Sequence, residues 1–189
     1  GLSGQARGID SNTLGDRSDV AGGVFASARF QPVAPLILNG SLRLDGDPLY
    51  GLEPTPQLYA SYSLNTVTLR AGIGRAVRAP NYVERYIDLP TTKGEADLDA
   101  ERSWSAEAGT DVYLTPDVTL RLTGFGRRTT GLIDYAKDDA SDDAFVARNL
   151  NEVETLGIES EASFQRTIHG ARVLLDGSYT FMDQTLTSQ

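Results

Sequence analysis

Apolar and polar residues alternate with a period of two through most of this chain, which limits it to strands with two unlike faces. In residues 66–76, Val67, Leu69, Ala71 and Ile73 fall on one face and Thr68, Arg70, Gly72 and Gly74 on the other. In residues 35–45, Leu36, Leu38, Leu42 and Leu44 oppose Asn39, Ser41, Arg43 and Asp45, with Ile37 the one apolar intruder. Leu58, Ala60, Tyr62 and Leu64 oppose Tyr59, Ser61 and Ser63, and Val173, Leu175, Tyr179 and Phe181 oppose Arg172, Asp176, Ser178 and Thr180. Gly, Pro, Asp and Asn clusters punctuate the pattern, as turns do between strands. Strands are predicted over 20–31, 35–45, 56–64, 66–76, 102–114, 117–136, 144–165 and 170–182. Several exceed the five or six residues usual in globular sheets, whereas about 9 to 11 tilted residues span a bilayer core. The expected fold is all-β: an antiparallel up-and-down meander of about eight strands forming part of a transmembrane β-barrel.

Composition narrows the partners. The 189 residues carry a formal charge of -9, which argues against nucleic acid, since phosphate recognition needs a basic face. Lysine occurs only at Lys93 and Lys137 while arginine is plentiful, a bias that a GC-rich genome accounts for and a halophilic source would also give. With no cysteine, disulfides, thiolate metal sites and cysteine nucleophiles are excluded. No run approaches the 18 or so apolar residues of a membrane helix, and the start lacks a signal peptide pattern. Neither observation bears on a barrel, whose strands alternate and so look only mildly hydrophobic.

Connection lengths supply an orientation. Short turns are expected at 31–35, at Asn65, at Thr115-Pro116 and at 167–170, and longer segments at 45–56, 77–101 and 137–143. Outer-membrane barrels have short periplasmic turns and long extracellular loops, so the long connections mark the external rim. On this reading residues 1–18 are the remnant of an external loop, 19–182 hold the strands and hairpin loops, and 183–189 are a truncated end.

Residues 73–104, IGRAVRAPNYVERYIDLPTTKGEADLDAERSW, contain Arg78-Ala79-Pro80, a tyrosine at Tyr86 and the run Gly94 to Glu101. Further on stand Ser103 to Gly109, Leu120 to Tyr135, and Arg148-Asn149-Leu150-Asn151 leading into Thr155-Leu156-Gly157-Ile158-Glu159. In order and spacing this set resembles the barrel of TonB-dependent outer-membrane receptors. In that family a strand ends in an Arg-x-Pro or Arg-Ala-Pro turn, and a Gly-Asn-Pro-x-Leu-x-Pro-Glu element precedes the next strand. Gly94 to Glu101 keeps the Gly, Leu and Glu of that element but neither proline. The resemblance implies a large outer-membrane barrel of a Gram-negative-type bacterium, with an N-terminal plug that touches TonB. No plug-like segment is recognised here, so the chain is expected to be an internal wall segment of a longer polypeptide. Its TonB contact would then run only through that plug.

Candidate chemistry is sparse. His169 stands in a predicted turn without a second histidine or a cysteine to share a zinc or triad site. Asp138, Asp139, Asp142 and Asp143 lack the glycine-centred spacing of a calcium loop and are expected as a solvated loop tip. Glu107, Glu159 and Glu161 lie on polar strand faces, where Arg70, Arg121, Arg127 and Arg172 could pair with them across the sheet. No catalytic residue, metal or cofactor is expected. Arg78, Arg85, Arg127 and Arg128, with Tyr82 and Tyr86, are instead expected near external strand ends as a basic, aromatic rim for an anionic ligand.

The leading expectation is a wall segment of a receptor that imports a scarce nutrient, for which the resemblance implies most often a ferric siderophore or similar chelate. The expected partners are outer-membrane lipid and that chelate. Rival readings are a soluble all-β carbohydrate-type module, a passive porin-like barrel and, last, an enzymatic barrel. An isolated open sheet would also be expected to close on itself or self-associate through its edges.

Overall fold

The computed structural model describes residues 1–137 and 143–187. In chain order the elements are β1 (Leu2–Ser11), β2 (Gly15–Val33), β3 (Leu36–Asp47), β4 (Gly51–Leu64), β5 (Val67–Arg78) and helix α1 (Tyr82–Tyr86). They continue with β6 (Asp88–Leu89), β7 (Thr92–Lys93), β8 (Glu101–Thr115), β9 (Val118–Ala136), β10 (Phe145–Ile168) and β11 (Ala171–Thr187). The nine long strands pair antiparallel in the spatial order β1-β2-β3-β4-β5-β8-β9-β10-β11, and the two-residue β7 adds a parallel pairing to β10.

The meander matches the sequence expectation, and its differences from it lie at the rims. Residues 1–18 are not a loop: β1 pairs with β2 from Leu2↔Val24 to Ser11↔Gly15. The expected loop at 45–56 shrinks to residues 48–50, because β3 and β4 stay in register up to Asp47↔Gly51. At the other end, the expected break at 183 is absent, since β11 continues to Thr187 opposite Glu152.

One rim nevertheless carries only two-residue connections, at 34–35, 65–66, 116–117 and 169–170. At 65–66 and 169–170 they include the left-handed residues Asn65 (φ 42), His169 (φ 49) and Gly170 (φ 83). Tight hairpins require positive φ at such positions, so His169 is a turn residue. The opposite rim carries the segments at 12–14, 48–50, 79–100 and 137–144. Asp138, Asp139 and Asp142 lie outside the described residues, and Asp143 at their edge is exposed.

The two faces of the sheet differ as the alternation requires. Register places Leu42, Leu58, Ile73, Leu156 and Phe181 on one face, and each is at least 49% exposed. Among the described residues the only buried hydrophobics are Leu98, Ala100, Ile133 and Ala147, all near the long-connection rim. Among the described residues no second layer covers the apolar face, as the inner face of a sandwich would be covered. The shortest of the long strands from β2 onward, β3 and β5, have 12 residues each, enough to span a bilayer core, and β10 has 24.

β4 and β5 part company above Gln57↔Gly74. Pro54 and Pro56 share one parity and lack N–H groups, so both missing donors fall on the same side of β4, and the β5 ladder is the one that stops. Glu53 bridges the gap, accepting hydrogen bonds from Arg75 at 2.6 Å and Arg102 at 2.8 Å.

A polar trough and its rim: the candidate functional site

Ser27 and Arg29 on β2, Glu107 on β8 and Gln184 on β11 all border one cavity of about 960 Å³. Strands at both ends of the sheet can share a cavity only if the sheet curls, so the polar face is concave. Asn39, Gln57, Tyr59, Thr123 and Arg127 also line it.

Below this cavity, toward the two-residue turns, the polar face is tied by an ion-pair ladder. Asp111 accepts from Arg70 at 2.9 Å and from Arg121 at 3.0 Å, and Arg121 also reaches Glu161 at 2.9 Å. The expected cross-strand pairing therefore holds for Arg121 with Glu161, whereas Arg70 pairs with Asp111, an acceptor outside the expected set. Glu159 instead accepts from the Thr180 hydroxyl, and Arg127 donates to Ser105 Oγ at 3.2 Å. Among the described residues neither Arg127 nor Arg29 has a carboxylate within ion-pair distance.

The segment 79–100 folds across the long-connection rim. It begins at α1, whose Asn81 caps the helix: its side chain accepts from Glu84 N–H, and the Glu84 carboxylate accepts from Asn81 N–H. Arg78 then donates to both oxygens of Glu101, at 2.6 and 2.7 Å, and to Glu84. Two carboxylates hold the Arg78 guanidinium well above its ordinary pKa, the hydrogen bond to Glu101 leading. Burial pushes the Glu101 carboxyl up, but Arg78 and the Ile133 N–H together hold it below its usual value.

At its far end the segment is fixed to β9 and β10. β7 pairs with β10, Leu98 packs with Ile133 and Ala147, and the Asn149 amide bonds to Asp99 and to the Gly131 carbonyl. Near α1 it reaches β1 and β2 instead. The Tyr82 hydroxyl donates to Asp19 at 2.9 Å, and Asp19 together with Asp47 holds Arg7. Arg17 of β2 lies over the Tyr86 ring at 4.2 Å, and Arg85 lies 4.8 Å from the same ring centre. The segment is thus a strap from β9 and β10 to the β1–β2 hairpin.

The six expected rim residues are therefore split. Arg78, Tyr82, Arg85 and Tyr86 come together in the strap, but Arg78 is saturated by Glu84 and Glu101, and the Tyr82 hydroxyl is engaged by Asp19. Arg127 lies apart from them, in the trough. Arg128 falls on the opposite face, in register with Trp104, and pairs with Glu152 at 2.6 Å. Sequence reasoning missed Arg17, hidden in the presumed loop remnant, and Arg29, Asn39, Gln57 and Tyr59, which only the curl of the sheet brings to one cavity. It also missed Asn149, although its Asn-rich segment had been singled out.

The family profile described as "TonB dependent receptor-like, beta-barrel" matches residues 2–189. The chain belongs to the TonB-dependent receptor β-barrel family. A comparison with curated proteins found no match. Among solved structures the barrel segment is similar to the siderophore receptor PirA from Pseudomonas aeruginosa. The TM-score is 0.77 at 23% identity, over 97% of this chain and 36% of that one. It is also similar to a mutant of the ferric enterobactin receptor PfeA from Pseudomonas aeruginosa in complex with enterobactin, with a TM-score of 0.72 at 21% identity, over 88% and 27% of the two chains. A third similar structure is the copper transporter OprC, with a TM-score of 0.68 at 19% identity, over 89% and 29%. At these identities the likeness shows the fold. The TonB-dependent receptor segment described here spans about a third of the length of these relatives.

Proposed function

We propose that this chain is a wall and rim segment of an outer-membrane receptor that imports a scarce nutrient, a ferric siderophore or a similar chelate, with energy relayed by TonB. The carrying observation is the concave polar face, where among the described residues Arg29 and Arg127 have no carboxylate within ion-pair distance in a cavity of about 960 Å³, set opposite an exposed apolar face. That volume suits a chelate, since ligand cavities commonly run to about 300–1,000 Å³. The chemistry is binding and passage.

In this reading the apolar face meets outer-membrane lipid, the long-connection rim faces the medium, and the strap and trough meet the ligand. Arg85, Tyr86 and Arg127 keep the ligand-facing role expected of them. Arg78 and Tyr82 position the strap, and Arg128 faces the membrane side. TonB itself is reached through the plug of the complete receptor.

The test is radioactive iron uptake from ferric chelates in iron-starved cells that lack the complete receptor or carry it, with and without TonB. Uptake that needs both the receptor and TonB supports the proposal. Uptake that persists without TonB marks a passive barrel, and a complete receptor that stays in the aqueous phase without detergent removes the membrane reading altogether.

A further inference from the structure

Glu53 and Arg75 belong by strand parity to opposite faces of the sheet. Glu53 shares its face with Gln57 and Tyr59 of the trough, whereas Arg75 shares the face of Leu69, Ile73 and its register partner Trp104. Arg102, two residues from Trp104, lies on that outer face as well. Within a continuous ladder, side chains of opposite faces are kept apart by the backbone between them. Here they meet. Glu53 accepts from Arg75 at 2.6 Å and from Arg102 at 2.8 Å, and the Pro54 carbonyl accepts from Arg75 at 2.5 Å. These contacts therefore pass through the wall, at the notch left where β4 and β5 separate.

The notch divides the long-connection half of the sheet into two panels. β4 stays with β3 up to Asp47↔Gly51, β5 stays with β8 up to Arg78↔Glu101, and the two strands pair with each other only from Leu64↔Val67 to Gln57↔Gly74. Beyond Gly74, among the described residues, every hydrogen bond between the panels is donated by a side chain, that of Arg75, Arg102 or Tyr82. Charge is divided to match. Glu53 stands opposite Asp45 of β3, a like-charged pair that is unfavourable unless cations intervene, and Glu53 draws its cations from the other panel. Pro54 and Pro56 offer the notch no N–H, so the ladder cannot zip further when the side chains let go.

We propose that this seam is a latched hinge: the ladder that ends at Gln57↔Gly74 is the hinge, and Glu53 and Tyr82 are the latches that hold the two panels closed. The second latch works through the strap. The strap is rooted in one panel, by the Arg78 hydrogen bonds to Glu101 and by β7 on β10, and its α1 end is fastened to the other panel by the Tyr82 hydroxyl on Asp19. Panels that spread must pull Tyr82 from Asp19, and a strap that lifts leaves Glu53 to hold the seam. Opening of the wall and release of the strap are thus one movement, which widens the mouth of the trough. Arginine side chains at the rim can turn from Glu53 to water, an exchange that a ladder N–H facing hydrocarbon does not have, so the wall parts along this line before any other. The device does not depend on which solute the trough takes.

The test is distance measurement between paired spin labels in the complete receptor, reconstituted into vesicles after any other cysteine has been replaced by serine. One pair, Leu52→Cys with Thr130→Cys, spans β4 to β9 beyond the notch. A second, Tyr62→Cys with Leu122→Cys, spans the same strands across the intact ladder, and all four positions are exposed. With the latches intact, the upper pair should already show a broader distance distribution than the lower pair. Glu53→Ala should raise the population of long upper distances about ten-fold, the size expected for losing a charge-assisted contact that is partly exposed, and leave the lower pair as it was. Glu53→Gln, which keeps the shape and loses the charge, should give a smaller rise. Tyr82→Phe should give a rise of its own and quicken hydrogen exchange across 81–87. An upper pair as narrow as the lower one and unmoved by Glu53→Gln and Tyr82→Phe overturns the hinge. Upper and lower distances that lengthen together overturn it too, because they report a general loosening of the sheet. Should Glu53→Ala fail to insert, Glu53→Gln and the widths with the latches intact decide on the same terms.

Discussion

Glu101 shows how one carboxylate sets the geometry of the rim. It receives two hydrogen bonds from Arg78 and one from the Ile133 N–H, which joins β5, β8 and β9 where the strap departs. Its pKa is lowered in the folded state, so its contribution is fully present above its ordinary value of 4.5 and is lost as the pH falls through the lower folded value. Hydrogen exchange across 81–87, corrected for intrinsic rates, should therefore stay slow at pH 5 and quicken only below 4.5. Arg78→Ala should cost about 1 kcal/mol locally, a value discounted from that of a buried charged pair because the Arg78 side chain is 44% exposed. The same exchange experiment, with Arg78→Ala at pH 7, checks it.

Gly157 makes a packing argument at the same scale. The Phe125 ring lies where a Cβ on Gly157 would stand, and the Phe181 carbonyl would be only 2.7 Å from it. Gly157→Val should therefore cost about 1 to 3 kcal/mol by overpacking, measured by denaturant unfolding in detergent. Adding Phe125→Ala should recover only part of the loss, because the carbonyl remains. Sequence pattern had placed Gly157 in a Gly-Ile-Glu strand without disclosing the ring that covers it, since that contact depends on the register between β9 and β10.

Among elements, alternation was legible where the outward face is greasy, as in β3, β4 and β5, and illegible where it is not. β1 presents Gly4, Ala6 and Gly8 on the face that elsewhere carries leucine, so it reads as loop although ten residues pair. Pro54 and Pro56 likewise suggested a loop, yet they interrupt only one of β4's two ladders. The candidate site was legible as composition, arginine and tyrosine around 78–86, but its partner Arg17 lay far away in sequence and inside a misassigned segment. What alternation did specify can be checked on adjacent positions of β4. Leu58→Arg on the apolar face should cost about 2 to 4 kcal/mol in refolding into lipid vesicles, the range for a cation near the bilayer midplane. Gln57→Arg, turned to the trough, should cost far less.

At the scale of the whole sheet, the two faces and the unequal rims are one design: an apolar side left exposed by the described residues and a polar side that curls around a cavity. Trp104, the single tryptophan, sits where that design changes character. It is 48% exposed on the apolar face, in register with Arg75 on one side and Arg128 on the other. Aliphatic residues dominate the same face toward the short turns, and charged pairs dominate it toward the strap. Tryptophan prefers this boundary, because its ring tolerates hydrocarbon while its N–H seeks water or headgroups. In a complete receptor reduced to this one tryptophan and refolded into vesicles, lipids brominated near the headgroup should quench Trp104 more strongly than lipids brominated near the chain end. Equal quenching by both would misplace the belt. Failure of either to quench, with a soluble quencher effective instead, would mean that the apolar face meets protein or water, and the wall reading of the sheet would not survive.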